Sequence, residues 1–322
     1  MTGSKALGTC LAVLTVAAAL TAAASLNMAE GAAYLKQPRQ AIRVGTYNIR
    51  NTDGDRWTRN SWWCRKDDLL RLIGELRMDV FGLQEVLPDQ LREIDATLTG
   101  YGREGTHRGK DRVSGEATPV YFSKDRFERL AGGTFWLSER PEEPGSESWD
   151  TACTRICTWV RLRDRRDGGE LVFVNTHLDH RSERARVEGV KLILSRMEDM
   201  APKGVPVVFA GDHNCGEGSA AERLVGERMC NALRISRTPP SGAWRTFNAW
   251  EARDPEPSAA EVLANPRLGR GLWGRIDHVW VSKGVRVLSC ETRSDFRPGT
   301  QRYPSDHFPV VVELVPHSQG ID

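Results

Sequence analysis

The chain reads as a single mixed α/β domain covering roughly residues 38–316 of its 322. Three observations predict that class. Short β-rich apolar segments recur along the chain, and amphipathic stretches at helical spacing separate several of them. Neither a linker-like stretch nor an internal repeat divides the sequence. Its length and apolar content suffice for one sizeable core.

The elements follow in order. AIRVGTYNI (41–49) alternates and predicts a strand ending at Asn48. Ser61 is placed to cap a helix through WWCRKDDLLRLIGELR, where Leu69, Leu70, Ile73 and Leu76 recur at helical spacing. DVFGLQEV predicts a buried strand running into Glu85, and PDQLREIDATL a second helix. ATPVYFS, FERLAGGTFWLS and RICTWVRLRD are β segments, and the turn at RRDGG leads to ELVFVNTHL, so the last two pair as a hairpin. SERARVEGVKLILSRMEDM predicts a long amphipathic helix, and VPVVFAGDHN a strand with Asp212 just past its end. RIDHVWVS, VRVLSCETR and HFPVVVELV supply further strands. Arg237 to Gly274 is rich in Pro, Gly and Arg with little period, and reads as a surface excursion from the core.

The N-terminus is different in kind. After MTGSK, the run CLAVLTVAAALTAAAS is apolar and Ala-rich and precedes NMAEGAA, the pattern of an export leader over residues 1–33 cleaved between Ala24 and Ala33. The run is short for a membrane span, which needs about 20 apolar residues. The expectation is an exported, monomeric enzyme with no stable membrane insertion after cleavage; an uncleaved anchor is the alternative. Residues 317–322 form a tail. Without Cys10, six cysteines are left, an even count that permits up to three disulfides in an oxidising compartment. No CxxC pair is present, which disfavours zinc. The formal charge of +2 gives no electrostatic footprint for long nucleic acid, although net charge does not report a local basic groove.

Chemistry is suggested by where the polar residues fall. Asn48, Glu85, His177, Asp212, Asn214, Asp277, Asp306 and His307 each sit at or beside the end of an apolar β segment. A sheet gathers such ends at one rim, where ligand sites form. Each alone has a bland reading as a turn or a cap; eight together do not. Asn48, Glu85 and Asp306 offer hard oxygens suited to Mg²⁺ or Mn²⁺. Two histidines and further carboxylates can move protons and orient water, and Asn214 can donate to a phosphoryl oxygen. Metal-assisted phosphoester hydrolysis requires no more. In GDHNC, residues 212 and 214 share a face while His213 points away, so His213 reads as a packing residue.

The ordered motifs TYNIRN (46–51), LQEV (83–86), NTHLDH (175–180), GDHN (211–214), RIDHVWVS (275–282) and YPSDHFPVV (303–311) resemble those of the endonuclease/exonuclease/phosphatase superfamily across nearly the whole mature chain. GEATPVYFS, GTFWLSE and TRICTWV further resemble a bacterial, largely uncharacterised branch. The resemblance implies a four-layer α/β/β/α sandwich with two central mixed, mainly antiparallel β-sheets. It implies Asn48 and Glu85 as metal ligands with Asp306 beside the metal. It implies His307 as the catalytic histidine oriented by Asp277, and Asp212 as the residue positioning the nucleophilic water. Asn214 and His177 would contact the scissile phosphate. His213 departs from the family's apolar or aromatic residue at that place.

Arg155 is a candidate phosphate clamp, and Asp179 and His180 candidate contacts to substrate or a second ion, each set against a structural use. Glu116 and Arg65 are similarly placed, and Trp62, Trp63, Trp136 and Trp149 could stack a base or sugar or simply pack. Cys215 is read as a disulfide partner, with Cys230 as its mate. The expected substrate is a phosphodiester such as nucleic acid. Alternatives are a phosphomonoester of a sugar or inositol, a sphingomyelinase-like lipid substrate, or an inactive binding module.

Overall fold

Alternation in IRVGTYN puts Ile42, Val44, Thr46 and Asn48 on one face of β1 (Ile42–Asn48), and that face looks inward between two sheets. The protein is seen here as a computed structural model that describes residues 40–251, 256–269, 274–294 and 302–316. The expected leader over residues 1–33 and the tail at 317–322 lie outside the described residues.

After β1 come α1 (Trp62–Leu76), β2 (Val80–Gln84), α2 (Pro88–Thr97), β3 (Tyr101–Glu104), β4 (Val120–Ser123), β5 (Phe127–Trp136), β6 (Ile156–Asp164) and β7 (Glu170–His177). The second half holds α3 (Glu183–Met200), β8 (Val207–Asp212), α4 (Ala220–Arg228), β9 (Met229–Asn231), α5 (Ala232–Ile235), β10 (Ser241–Gly242), α6 (Ala259–Ala264), β11 (Asp277–Ser282), β12 (Arg286–Thr292) and β13 (Val310–Val315). One sheet runs β10-β12-β13-β1-β2-β4-β3 and the other β5-β6-β7-β8-β11-β9. Most neighbours are antiparallel; β1–β2, β7–β8 and β10–β12 are parallel.

Three apolar clusters define the layers. Val44, Val80, Phe173, Val208, Val279 and Val312 meet between the sheets. Leu69, Leu72 and Ile73 of α1 and Leu91 and Ile94 of α2 cover the outer face of the first sheet. Val190, Ile193 and Leu194 of α3 and Ala221 and Val225 of α4 cover the outer face of the second. The architecture is the four-layer sandwich expected. A buried polar bridge also ties the sheets together: Gln84 Nε2 donates to Thr46 Oγ1 (2.8 Å) and to Asn175 Oδ1 (2.7 Å) across the interface. Gly82 is required there, since a Cβ would lie 2.3 Å from the Asn175 side chain.

The stretch from Arg237 to Gly274 is more structured than its sequence suggests. It contributes the sheet-edge strand β10, the helix α6 and a 3-10 turn at Pro266–Gly269. Their short lengths leave no room for a period to show. The same reason hides β3, α4, β9 and α5. Among the described residues all six cysteines are free thiols, contrary to the disulfide expectation. Cys215 and Cys230 cannot pair because they pack on opposite faces of the second sheet. Cys215 joins the outer cluster under α3 and α4, and Cys230 packs on the inter-sheet cluster.

His213 points outward, as alternation requires, and is fully buried against Phe209 with ring centroids 4.8 Å apart. Its Nδ1 lies 2.6 Å from Oε1 of Glu222 on α4, whose Oε2 accepts from Trp280 Nε1 at 3.1 Å and sits 3.6 Å from His278 Nδ1. Burial holds His278 below its ordinary histidine value. Burial opposes charge on Glu222, but His278 and His213 outweigh it and hold the carboxyl below its usual range. Both depressions act in one direction. A neutral folded His278 and an ionised folded Glu222 lose stability on acidification, the first as pH falls below about 6.5 and the second below about 4.3. Thermal melts should therefore fall through that window. Glu222→Ala, which strands two buried donors, should cost about 2–4 kcal/mol in urea unfolding at neutral pH; an unchanged midpoint would refute the assignment.

Candidate active site

Three strands in register build the floor. Parallel pairing of β7 with β8 sets His177 opposite Asp212, and antiparallel pairing of β8 with β11 sets Asp277 opposite Asp212. Directly opposed residues share a face, so all three side chains emerge on the inter-sheet side. Gly211 makes the approach possible. At φ +149 its missing Cβ would sit 2.1 Å from the Thr176 carbonyl oxygen.

From the first sheet, β1 ends on Asn48, paired with Gln84 of β2. Strand alternation would send the next residue, Glu85, to the outer face. A left-handed backbone at Glu85 (φ 62) turns it to the rim instead. Asn48 Nδ2 then donates to Glu85 Oε1 (3.0 Å) and to Asp212 Oδ2 (2.9 Å), joining the two sheets through one amide. Asn214 is likewise left-handed (φ 50); its backbone N–H donates to Asp212 Oδ1 at 2.9 Å and its Nδ2 to the Leu178 carbonyl at 3.0 Å.

His307 follows Asp306 in the segment before β13. Its Nδ1 lies 2.8 Å from Asp277 Oδ2 and its Nε2 3.7 Å from Asp212 Oδ2, while His177 Nε2 lies 3.4 Å from the same oxygen. Burial alone would make His307 less basic, but Asp277, Asp212 and Asp306 outweigh it and raise its pKa. Burial, reinforced by Asp277, raises that of Asp212. His177 goes the other way, held well below its ordinary value by burial and the Arg155 charge. One imidazole is thus biased toward the charged form and the other toward the neutral form, side by side.

A cleft of about 690 Å³ opens over this floor, lined in part by Glu85, His177, Asp212, Asn214, Asp306 and His307. Asn48 and Asp277 lie behind it, fully buried. Beside His177 the wall carries Arg108, Arg155 and His180, the last held below its ordinary value by burial and the Arg155 charge. Arg155 is buried, its Nη2 is 3.1 Å from His180 Nδ1, and its Nε has no hydrogen-bond partner. Asp179 does not line the cleft: its carboxylate accepts from Thr151 Oγ1 and from the N–H groups of Ala152, Arg181 and Ser182, and its Oδ2 lies 3.9 Å from Arg155 Nε. Glu116 lines the cleft, bonded to Arg108 Nη1 at 2.6 Å and to Asn51 Nδ2 at 3.0 Å. Arg65 does not reach it: its guanidinium donates to the carbonyls of Ile49, Arg50, Asn60 and Pro304 and braces the loops around the site.

Several cleft residues escaped the sequence reading. Arg50 pairs with Asp55 at 2.8 Å and faces Asp306 (3.7 Å) and Glu85 (3.9 Å). Asn51 donates to Glu85 Oε2 from both its backbone and its side chain. Both lie inside TYNIRN, directly after Asn48, which was the available signal. Phe247 and Trp250 also line the cleft, from a stretch read as a surface excursion. Of the tryptophans proposed for stacking, Trp62 and Trp136 are core residues and Trp149 packs on the outer cluster. Trp63 is exposed on α1 under Lys66.

Charge decides which side chains suit a cation. Burial and the neighbouring Glu85 push the Asp306 carboxyl above its ordinary range, against His307 and Arg50. Glu85 goes the other way: against burial, Arg50 and the hydrogen bonds from Asn48 and Asn51 hold its carboxyl below the usual range, so an ionised Glu85 stands beside an under-compensated Asp306, and their hard oxygens fit a divalent ion. Asp212, Asp277 and His307 also bring ligand atoms within 4.8 Å of one another, although the 2.8 Å bond to Asp277 commits His307 Nδ1. Cys153, Asp179 and His180 form a third such group. It is unsuited to a cation, with Arg108 3.7 Å from the sulfur and Arg155 beside the imidazole.

Buried carboxylates able to hold a hard cation, beside a histidine–aspartate couple and a basic wall, suit attack of water on phosphorus; this is hydrolase chemistry. The family model described as Endonuclease/Exonuclease/phosphatase family matches residues 45–307, and the chain belongs to that family. Its members are hydrolases acting on phosphoester bonds, generally with a divalent metal. An endonuclease/exonuclease/phosphatase family protein of Bacteroides thetaiotaomicron is 29% identical, superposes with a TM-score of 0.76, and aligns over 87% of this chain and 99% of its own. The mannosyl-6-phosphatase of the same organism is 29% identical, with a TM-score of 0.74 over 85% and 99% of the two chains. Danio rerio TDP2 in complex with a single-strand DNA product, 16% identical at a TM-score of 0.63 over 85% and 99%, shares the fold. An uncharacterized protein of Acanthamoeba polyphaga mimivirus is 27% identical over 153 residues, 42% of this chain and 21% of that protein, so the match spans about a fifth of that relative's length.

Asp277 touches His307 and no cleft surface. Asp277→Asn should preserve substrate KM within about threefold while lowering kcat by about 10²–10⁴-fold, the worth of a correctly held acid–base group. Steady-state kinetics would refute the role if kcat were retained.

Proposed function

We propose that this chain is an exported, Mg²⁺-dependent hydrolase of small phosphomonoesters, with a sugar phosphate as the substrate class. One observation carries the reading. The basic side chains Arg108, Arg155 and His180 share a cleft of about 690 Å³ with Asp212 and His307. That volume suits a small molecule, and the guanidiniums of Arg155 and of Arg108, the latter shared with Glu116, suit a terminal phosphate, with His180 beside them as a neutral hydrogen-bonding group. The similarity to a mannosyl-6-phosphatase at 29% identity supports it. A phosphodiester such as nucleic acid is the second reading, supported by the motif set, which serves both; the overall charge of +2 counts against long DNA.

Asn48, Glu85 and Asp306 would hold the cation, which when bound polarises a phosphoryl oxygen and offsets charge gained on attack. The protein's own groups do the rest. His177 and Asn214 steady the phosphoryl oxygens, with Arg155 behind them. Asp212 and the Asp277-held His307 take a proton from the attacking water and give one to the departing alkoxide. The 3.7 Å between His307 Nε2 and Asp212 Oδ2 puts both groups at one reacting centre. The enzyme acts as a monomer, with its leader removed between residues 24 and 33.

Phosphate release from hexose 6-phosphates should exceed turnover of bis-p-nitrophenyl phosphate, DNA, RNA and sphingomyelin by about tenfold or more in kcat/KM. The reverse ranking would establish the second reading. His307→Ala and Asp212→Ala should each lower kcat by about 10²–10⁴-fold with the fold intact by circular dichroism. EDTA should silence the enzyme, and Mg²⁺ or Mn²⁺ restore it; rescue by Zn²⁺ alone would refute the oxygen-ligand set. The mass of protein recovered from the culture medium should correspond to a chain beginning after residues 24–33.

A further inference from the structure

We infer that Trp250 is a specificity-determining platform on which the sugar ring of the substrate's leaving group stacks. This rests on the phosphomonoester reading above and goes beyond it in naming what recognises the alcohol. Trp250 lines the catalytic cleft; among the described residues no other tryptophan does. It stands on the side of Asp306 and His307, together with Phe247, whose ring lies 5.0 Å from that of His307. Arg108 and Arg155 stand on the side of His177, whereas Arg50, the other arginine of the lining, is taken up by Asp55, Asp306 and Glu85. The cleft thus offers arginines on the His177 side to a phosphate and an aromatic wall on the opposite side to the alcohol.

The backbone is arranged to present this indole. Ala249 (φ 54) and Trp250 (φ 65) are consecutive non-glycine residues in the left-handed region, an unfavourable conformation that persists where surroundings over-determine it. Here they do. Asn248 is fully buried; its N–H and that of Ala249 donate to the Asp306 carbonyl at 2.7 and 3.2 Å, and its Nδ2 donates to the Ser305 carbonyl at 3.1 Å. Its Oδ1 accepts the Trp250 N–H at 2.8 Å. The indole packs against the cluster of Ala243, Tyr303 and Phe308, and the Arg65 guanidinium lies over the ring 5.6 Å from its centroid, which leaves the opposite face for a ligand. The ring is therefore half-buried and fixed, with part of its surface left to the cleft. A fixed indole stacks the CH face of a pyranose at little entropic cost. Packing needs alone would be met by a side chain that faced the Tyr303–Phe308 cluster and not the cleft.

The test compares wild type, Trp250→Phe and Trp250→Ala on a hexose 6-phosphate and on glycerol 3-phosphate, which has no ring. The expected result is that Trp250→Ala lowers the ratio of kcat/KM values, hexose over glycerol, by about tenfold, chiefly through KM for the hexose. Trp250→Phe should recover most of the ratio. A ratio unchanged by Trp250→Ala, with both substrates losing equally, would assign a merely structural role and overturn the inference. Tryptophan fluorescence titrated with a free hexose, and separately with a nucleoside, reads ring binding whether or not either ester is cleaved. A hexose response in wild type that Trp250→Phe lacks supports the platform. No response to either ring, or a response to the nucleoside alone, overturns it.

Discussion

The site depends on the register of β7, β8 and β11. A slip of one residue in either pairing would turn Asp212 or Asp277 to the outer face and put a neighbour in its place, His213 or Gly211 for the first and His278 or Ile276 for the second. Register is held from both sides. Inward, Val208, Ala210, Val279 and Val281 fill the inter-sheet core in the same rows as the aspartates. Outward, Glu222 reaches His213, Trp280 and His278 from α4, so one buried carboxylate links the backs of β8 and β11. The active row and the outer network are the two faces of one alternation.

Electrostatics explains why so many like charges can share this floor. Glu85, Asp212, Asp277 and Asp306 are all buried, and isolated burial of a carboxylate is costly. Each has a partner that limits the cost: Asn48 for Glu85 and Asp212, His307 for Asp277, and Arg50 facing Asp306. The raised Asp306 and Asp212 pKa values mark where compensation is weakest. Asp306 is also where a hard cation would relieve repulsion between oxygens, so the acidity of the floor is what would let it hold a metal.

Much of this was legible in the sequence because the site is built from strand ends. TYNI, LQEV, NTH, GDHN and RIDH each pair an apolar β run with a polar terminus, and a sheet aligns such termini without any loop having to be foreseen. His213 was legible as outward-facing by parity alone, though Glu222, nine residues on, carries no marker of its role. What sequence could not show were contacts that depend on loops. Arg155 and His180 meet only because β6 starts beside the turn that follows β7, and that turn, not substrate, claims Asp179. Cys215 and Cys230 are close in the chain, yet a sheet separates them. The segment Thr246–Trp250 has no period because its conformation is set by Ser305 and Asp306, more than fifty residues away.

That last dependence is mutual, and it links the His307–Asp277 couple to the aromatic wall of the cleft. The Thr246 carbonyl accepts the Phe308 N–H at 2.6 Å and Thr246 Oγ1 accepts the Ile276 and Asp277 N–H groups at 3.0 Å, so one threonine spans the backbones bearing the histidine and its aspartate. Two residues on, Asn248 grips the carbonyls of Ser305 and Asp306. A segment that fixes the His307–Asp277 couple at one end and a strained, cleft-facing Trp250 at the other cannot relax at either without disturbing both. Strain at Ala249 and Trp250 is then carried by hydrogen bonds that the catalytic geometry already needs. This is why a bulky aromatic can stand in a left-handed backbone beside the acid–base pair, and why the aromatic wall and the reacting centre belong to one rigid unit.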